Sequence, residues 1–359
     1  MADSKQAPLD AAAAAKAAFA SVQDKPFPDD VFTAPELRWA VIGCGVIANQ
    51  MAQSLALAGR KLAGVANRTL SKAQAFAEQY GIEKVYDTVE DLYADPNIDA
   101  IYITTPHNTH ITYLRAALRA GKHVLCEKAI TLNSAELDEA RAIADEHNVV
   151  LMDATTVLHM PLYQELRRRM DAGEFGRMNL AQLNFGSYKE YGDLTNRFYN
   201  RNLAGGAMLD IGVYALSVMR LFMASQPIEV VSLGNTCETG VDVAGGIVCR
   251  NAEQQLGVVG LTLHSKQPKR SIISFDKCYI EVNEYPRADH ATIVWTADGH
   301  REEVHAGTEA YALCYEMADL EKAVAGDDSK RELLGYASDV MELMTKLRAD
   351  WGVVYPEEE

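Results

Sequence analysis

The sequence predicts an α/β domain with a parallel sheet, followed by an α+β domain with a large, mostly antiparallel open sheet. Two patterns and one motif carry that expectation. From Arg38 to about Asp153, strand-like and helix-like segments alternate, which puts helices on both faces of a parallel sheet. Beyond Pro161, strands follow one another with only short polar turns between them, as in an antiparallel sheet. Between the first strand and the first helix stands Gly43-Cys44-Gly45-Val46-Ile47-Ala48, a Gly-x-Gly-x-x-Ala turn.

In the first domain, strands are expected at 38–42, 61–66, 84–86, 99–104, 123–126 and 149–152, and helices at 47–57, 71–80, 89–94, 110–120 and 134–146. Gly81 and Gly121 close two of these helices. In the second, a helix at 162–170 precedes strands at 178–185, 228–233, 246–249, 257–264, 271–275, 278–282 and 291–295. Helices at 310–325 and 333–351 end the chain. Helices cover one face of such a sheet and leave the other free to pair with a second subunit. Strands 257–264, 271–275 and 278–282, with apolar residues at alternate positions, are the expected contact. The Ala-rich stretch 11–20 favours a helix, and 24–30 reads as a Pro-containing linker. The expected organisation is an N-terminal arm (1–35), a dinucleotide-binding domain (36–155) and an α+β substrate-binding and oligomerisation domain (156–359). The arm docks on its own domain, docks on a partner subunit, or stays loosely ordered.

The formal charge of −16 argues against a nucleic-acid surface and for a protein that handles small molecules. No run approaches the ~20 apolar residues of a membrane span. Asp3, Asp10 and Lys16 argue against a signal peptide. The six cysteines are scattered without a C-x-x-C pair, so reduced thiols and a cytoplasmic location are expected. Cys126 reads as a buried structural thiol, not a nucleophile.

The glycine turn carries chemistry. Gly43 makes the tight turn, Gly45 lets a pyrophosphate approach, and the N–H groups from Val46 and Ile47 onward point at it. This is the fingerprint of a Rossmann dinucleotide-binding domain. About 20 residues on, where NAD-binding chains place a carboxylate, stands Asn67-Arg68-Thr69. A guanidinium suits a 2′-phosphate, so NADP is the preferred cofactor; NAD is the alternative if Arg68 only stacks on adenine. Thr105, Pro106, Asn108 and His110 follow the fourth strand and should line the cofactor cleft. Glu127 and Lys128 follow the fifth, as a charged pair pushed to the edge of the cofactor cleft; a solvated surface ion pair is the alternative. Gly205-Gly206 opens a helix on which Asp210 and Tyr214 share one face. A phenol and a carboxylate with a cation such as Lys128 form a proton relay; a hydrogen-bonded pair on a packed helix is the alternative. Arg197 is a candidate for substrate hydroxyls or an ordinary surface arginine.

The segments VIGCGVIA, TTPHNTH, AGKHVLCEKA, LMDATT and AGGAMLDIGVY together resemble the Gfo/Idh/MocA oxidoreductase family, from about Leu37 to the C-terminal GVVYP. The tyrosine in DIGVY resembles the branch holding dimeric dihydrodiol dehydrogenase, D-xylose dehydrogenase and glucose–fructose oxidoreductase. The resemblance implies catalytic roles for Lys128, Tyr214 and Asp210, with Arg197 a further candidate for substrate contact. It implies hydride transfer between NAD(P) and a secondary alcohol or carbonyl of a sugar, polyol or cyclic diol. It also points to a homodimer or dimer of dimers through the C-terminal sheet, and to no nucleic-acid, membrane or metal partner. Rival functions are an enzyme that recycles a tightly held cofactor without net redox change, and a non-catalytic ligand sensor. Two departures stand out. Ala129 replaces the family proline, and a non-proline residue rarely takes a cis bond. Thr155 and Thr156 replace bulkier residues, which suggests a roomier or differently shaped pocket.

Overall fold

The computed structural model describes residues 9–22 and 25–359; the rest of the expected arm and linker lies outside the described residues. The chain divides into two compact units. The first takes the described residues through Ile130, with 135–154 and 309–334; the second takes 131–134, 155–308 and 335–359.

In chain order the first part runs α1 (Leu9–Val22), β1 (Trp39–Ile42), α2 (Val46–Leu57), β2 (Gly64–Ala66), α3 (Leu70–Tyr80) and β3 (Lys84–Tyr86). It continues with α4 (Val89–Ala94), β4 (Ala100–Ile103), α5 (His110–Arg119), β5 (His123–Cys126), α6 (Ser134–Glu146) and β6 (Leu151–Asp153). The six strands lie in the order β3-β2-β1-β4-β5-β6, every pair parallel. That is the doubly wound order, whose ligand crevice opens beyond the carboxyl ends of β1 and β4. Every residue of β1 and β4 is buried, as continuous apolar strands between two helical layers must be.

A late segment, α9 (Ala312–Val324), returns to this first unit, so the units interleave where the sequence suggested one cut after residue 155. The reason is a buried carboxylate. Glu321 Oε1 accepts from Trp39 Nε1 (3.0 Å), Leu37 N (3.1 Å) and Arg60 Nη2 (2.6 Å). Arg60 also pairs with Glu36 and stacks over Phe32 at 4.0 Å. Removing one partner of such a pair leaves the other charge uncompensated, typically at a cost of about 3–5 kcal/mol. The tail of the arm also docks on this unit, through Phe27 against Tyr311 (4.7 Å between ring centroids).

The second unit contains α7 (Pro161–Asp171), β7 (Met178–Gly186), α8 (Val213–Phe222), β8 (Pro227–Thr236), β9 (Asp242–Asn251) and β10 (Leu256–Thr262). It continues with β11 (Gln267–Phe275), β12 (Cys278–Asn283), β13 (His290–Trp295) and β14 (Arg301–His305). The short α10 (Asp328–Arg331) follows α9 in the first unit, and α11 (Leu333–Asp350) ends the helical part of the chain. The sheet order is β14-β13-β12-β11-β7-β10-β9-β8, antiparallel except for the β7–β10 pair. Strand β14 was not expected: Arg301-Glu302-Glu303-Val304-His305 has one apolar residue and pairs as a polar edge. The stretch 201–222 is apolar and long enough to span a membrane by composition, contrary to the reading of no such run; 83 % of its apolar window is buried inside the protein, as in a core helix.

The expected contact face needs correction. The alternating apolar residues of β10–β12, such as Val259, Ile273 and Ile280, are buried, with α8 packed on β7, β10 and β11. The opposite face is read from the register row Val231, Val248, Val258, Gln182, Ile272, Glu281, Thr292, Glu303. It is apolar at the β8–β10 end, where Val231 and Leu233 are 76 % and 83 % exposed. Towards β14 it is charged, with an Arg270–Glu281 ion pair at 2.7 Å and Thr292 donating to Glu303 at 3.0 Å.

Candidate active site

In the first unit, β1 ends in Gly43 at φ +105°, a conformation L side chains rarely adopt. A Cβ at this position would stand 2.6 Å from Thr104 Oγ1, so only glycine lets the carboxyl ends of β1 and β4 close up. Gly45 then begins α2 without a side-chain cap, and Val46 is 72 % exposed. A Cβ on Gly45 would meet nothing within 4 Å. The first N–H groups of the helix thus face open space, as a pyrophosphate requires. Ile47 packs against the core of the first unit and Ala48 is buried against the sheet. Cys44 between the glycines is half-buried, and burial pushes its thiol up to about 11, which leaves it unreactive.

At the end of β2, Asn67 turns its amide onto Thr69 O (3.0 Å). Arg68 is exposed and makes no ion pair among the described residues; Ser71 and Lys72 on the next turn are exposed too. Nothing there is a carboxylate. The residues present fit a dinucleotide, with the uncapped α2 terminus for its pyrophosphate and a free guanidinium where the ribose belongs.

The turn after β4 divides by exposure. Pro106 is exposed, Thr105 and Asn108 are half-buried, and His110 is fully buried. His110 Nε2 lies 2.8 Å from Thr105 O and Nδ1 lies 3.0 Å from Ala129 O; burial holds its pKa below the ordinary imidazole value. With no surface, and neutral, His110 can donate from one ring nitrogen to one of these two carbonyls, and it sits behind the cleft turn between two loops. The neighbouring His107, on the same turn, has its Nε2 3.0 Å from Lys128 O.

Lys128 and Glu127 are half-buried at the end of β5, and the Tyr102 hydroxyl donates to Glu127 Oε1. The Lys128–Ala129 peptide is cis although alanine follows, contrary to the sequence expectation. Both carbonyls of this dipeptide meet histidine ring nitrogens, those of His107 and His110. No local pattern signals that these histidines meet the Lys128 loop; the spacing of TTPHNTH marks only a cleft. Cys126, one residue before Glu127, is buried, and desolvation pushes its thiol far above the ordinary value.

In the second unit, Gly205 and Gly206 lead into a π-helical turn, Met208–Gly212, that continues as α8. Asp210 lies on this turn and Tyr214 one turn later. Arg197 reaches Asp210 Oδ1 at 3.2 Å and its guanidinium stacks over Phe198 at 4.5 Å. The Tyr214 ring packs beside Phe185 (6.1 Å between centroids). Phe185, with Lys269 Nζ 5.5 Å above its ring, was not singled out in the sequence, because it reads as one more inward residue of β7. Thr155, Thr156 and His159 are buried at the start of the second unit.

A strand–glycine turn–helix with an uncapped N-terminus, on a sheet of this order, defines a dinucleotide-dependent enzyme fold. Residues 37–155 match the oxidoreductase family with an NAD-binding Rossmann fold, and residues 163–281 match the Gfo/Idh/MocA C-terminal domain. The chain is 32 % identical over 254 residues to trans-1,2-dihydrobenzene-1,2-diol dehydrogenase of Mus musculus, covering 69 % of this chain and 75 % of that one. With the same enzyme of Sus scrofa it shares 28 % over 340 residues, covering 90 % and 99 %. Among solved structures, a 3-ketoreductase from Actinomadura kijaniata in complex with NADP superposes with a TM-score of 0.75 at 24 % identity, covering 88 % and 98 %. Levoglucosan dehydrogenase in complex with NADH superposes with 0.75 at 19 %, covering 86 % and 97 %. At those identities the solved structures establish the shared fold. The chain belongs to the Gfo/Idh/MocA family and is an NAD(P)-dependent oxidoreductase.

Proposed function

We propose that this enzyme interconverts a secondary alcohol and the corresponding carbonyl on a sugar, polyol or cyclic diol, with NADP as its preferred cofactor. The observation that carries the reading is the Arg197–Asp210 pair one helical turn from Tyr214, a set of donors and acceptors suited to a substrate rich in hydroxyls. The dihydrodiol dehydrogenase relatives act on a vicinal diol by name, which supports the same class. Bound nicotinamide supplies or accepts the hydride. The protein moves the proton: Tyr214 exchanges it with the substrate hydroxyl, and Lys128 hydrogen-bonds the reacting oxygen and disperses its charge. Asp210, held by Arg197, orients a neighbouring hydroxyl. Arg68 reads the 2′-phosphate. We also assign the apolar β8–β10 end of the outer sheet face to a homodimer contact, since Ile228, Val231, Leu233 and Val248 stand exposed on neighbouring strands and an apolar cluster of this kind is what self-association covers.

Lys128→Met and Tyr214→Phe should each lower kcat by ~10²-fold or more while NADP binding and melting temperature stay near wild type. A variant that keeps more than about a tenth of the activity removes that residue from the mechanism. Arg68→Ala should weaken NADP binding by ~1.5–3 kcal/mol and NAD binding little; equal losses would show that Arg68 only stacks on adenine. Light scattering at micromolar concentration should return at least the dimer mass, and Leu233→Glu should lower it. The monomer mass for wild type would remove the contact.

A further inference from the structure

Strand β9 begins with a carboxylate that has no part in the chemistry above. Asp242 is fully buried. Its Oδ2 accepts from Met208 N at 2.6 Å, and Ala207 N–H also bears on it. These are N–H groups of the first turn of the helix that carries Asp210 and Tyr214. A carboxylate at a helix N-terminus satisfies orphan donors and meets the positive end of the helix dipole. Asp242 Oδ1 is buried without a hydrogen-bond partner. The whole helix entry is fitted around this group. Gly206 stands at φ +125°, and a Cβ there would lie 2.3 Å from Asp242 Oδ1. A Cβ on Gly205 would lie 2.6 Å from Arg197 O, so the same glycine pair admits the turn that delivers Arg197 to Asp210.

The C-terminal tail closes the other side. Tyr355 OH donates to Gly205 O at 2.6 Å. Arg348 stacks on the Tyr355 ring at 4.7 Å and pairs with Glu358 at 2.8 Å. The charged and titratable groups facing Asp242 are thus Arg348 from α11, Tyr355 beside it, and Glu358 behind Arg348. The Asp242 carboxyl is pushed up to about 6 by burial, against the opposing pull of the Met208 N–H and Arg348. Its charge therefore changes within the working range of an ordinary enzyme.

We propose that Asp242 is a positioning residue: its ionised carboxylate anchors the first turn of the Asp210–Tyr214 helix, and protonation loosens that turn and lowers turnover. The inference rests on the reading that Asp210 and Tyr214 serve the reaction. A hydrogen bond from N–H to a carboxylate is roughly twice as strong as one to a neutral acceptor, so the anchor weakens as the neutral acid accumulates. The sign follows: with the group's pKa raised, the competent form dominates above about pH 6 and is lost as the pH falls through it.

The test is kcat against pH, from about 5 to about 7.5, for wild type, Asp242→Asn and Asp242→Ala, with NADP affinity and melting temperature measured alongside. Wild type should lose turnover below about pH 6 as a single ionisation. Asp242→Asn keeps an acceptor oxygen for Met208 but cannot titrate; its kcat should show no such limb. Asp242→Ala should lose about tenfold or more in kcat, the effect of a slightly misplaced catalytic group, with NADP affinity unchanged. An Asp242→Asn profile with the wild-type limb overturns the proposal. So does a wild-type kcat that is flat to about pH 5, whatever the variants do. If Tyr214→Phe turns over like wild type, the reading of the site fails. If Tyr214→Phe is impaired while Asp242→Asn keeps the wild-type profile, only the role of Asp242 fails.

Discussion

The carbon-free approach of Gly43 to Thr104 is the constraint from which the cofactor half of the enzyme follows. Two buried parallel strands end side by side there, and no side chain fits between them. The chain leaves β1 through a turn with Gly43 at positive φ and starts α2 at once from Gly45, which has no side chain to cap it. The helix therefore begins with bare N–H groups in open space. Backbone geometry alone makes that a place for phosphate. The loops after β2, β4 and β5 emerge at the same sheet edge, because every strand is parallel.

Around that edge, histidines do structural work that resembles function in the sequence. His107 and His110 each present ring nitrogens to carbonyls of the Lys128 loop. They fix the backbone from which Lys128 extends, so a charged side chain springs from a rigid turn. In the second unit the corresponding work falls to a glycine pair, a buried carboxylate and the C-terminal Tyr355, which together set where the Asp210–Tyr214 helix begins. In both units a side chain proposed to handle protons sits at an element's end, with buried polar contacts behind it.

Local signals made much of this legible. The glycine turn and the alternation of strand and helix are short-range features, and each sits where the sequence puts it; Asp210 and Tyr214 fall on one continuous helix, Asp210 on its π-helical first turn. What escaped detection depends on contacts far apart along the chain. Nothing near Glu321 announces that it will meet Trp39 and Arg60, so the return of α9 to the first unit was invisible. Nothing in Arg301–His305 signals a strand, because a polar edge needs only one inward residue. His110 looked like a cleft residue because its position in the motif is right; the direction of its ring is a tertiary fact. The apolar alternation of β10–β12 was read correctly, but period-two patterns do not say which face is inside.

The central claim is that the open space at the start of α2 belongs to the cofactor's pyrophosphate. Gly45 tests it cleanly, since its φ of −77° is ordinary and a Cβ there would meet no atom within 4 Å. Calorimetric titration with NADP should give one site per chain in the wild type. Gly45→Asp should keep the wild-type melting temperature and lose NADP affinity by ~10²-fold or more, because a carboxylate would occupy the phosphate's place and repel it. A folded Gly45→Asp variant that binds NADP as tightly as wild type would contradict the account.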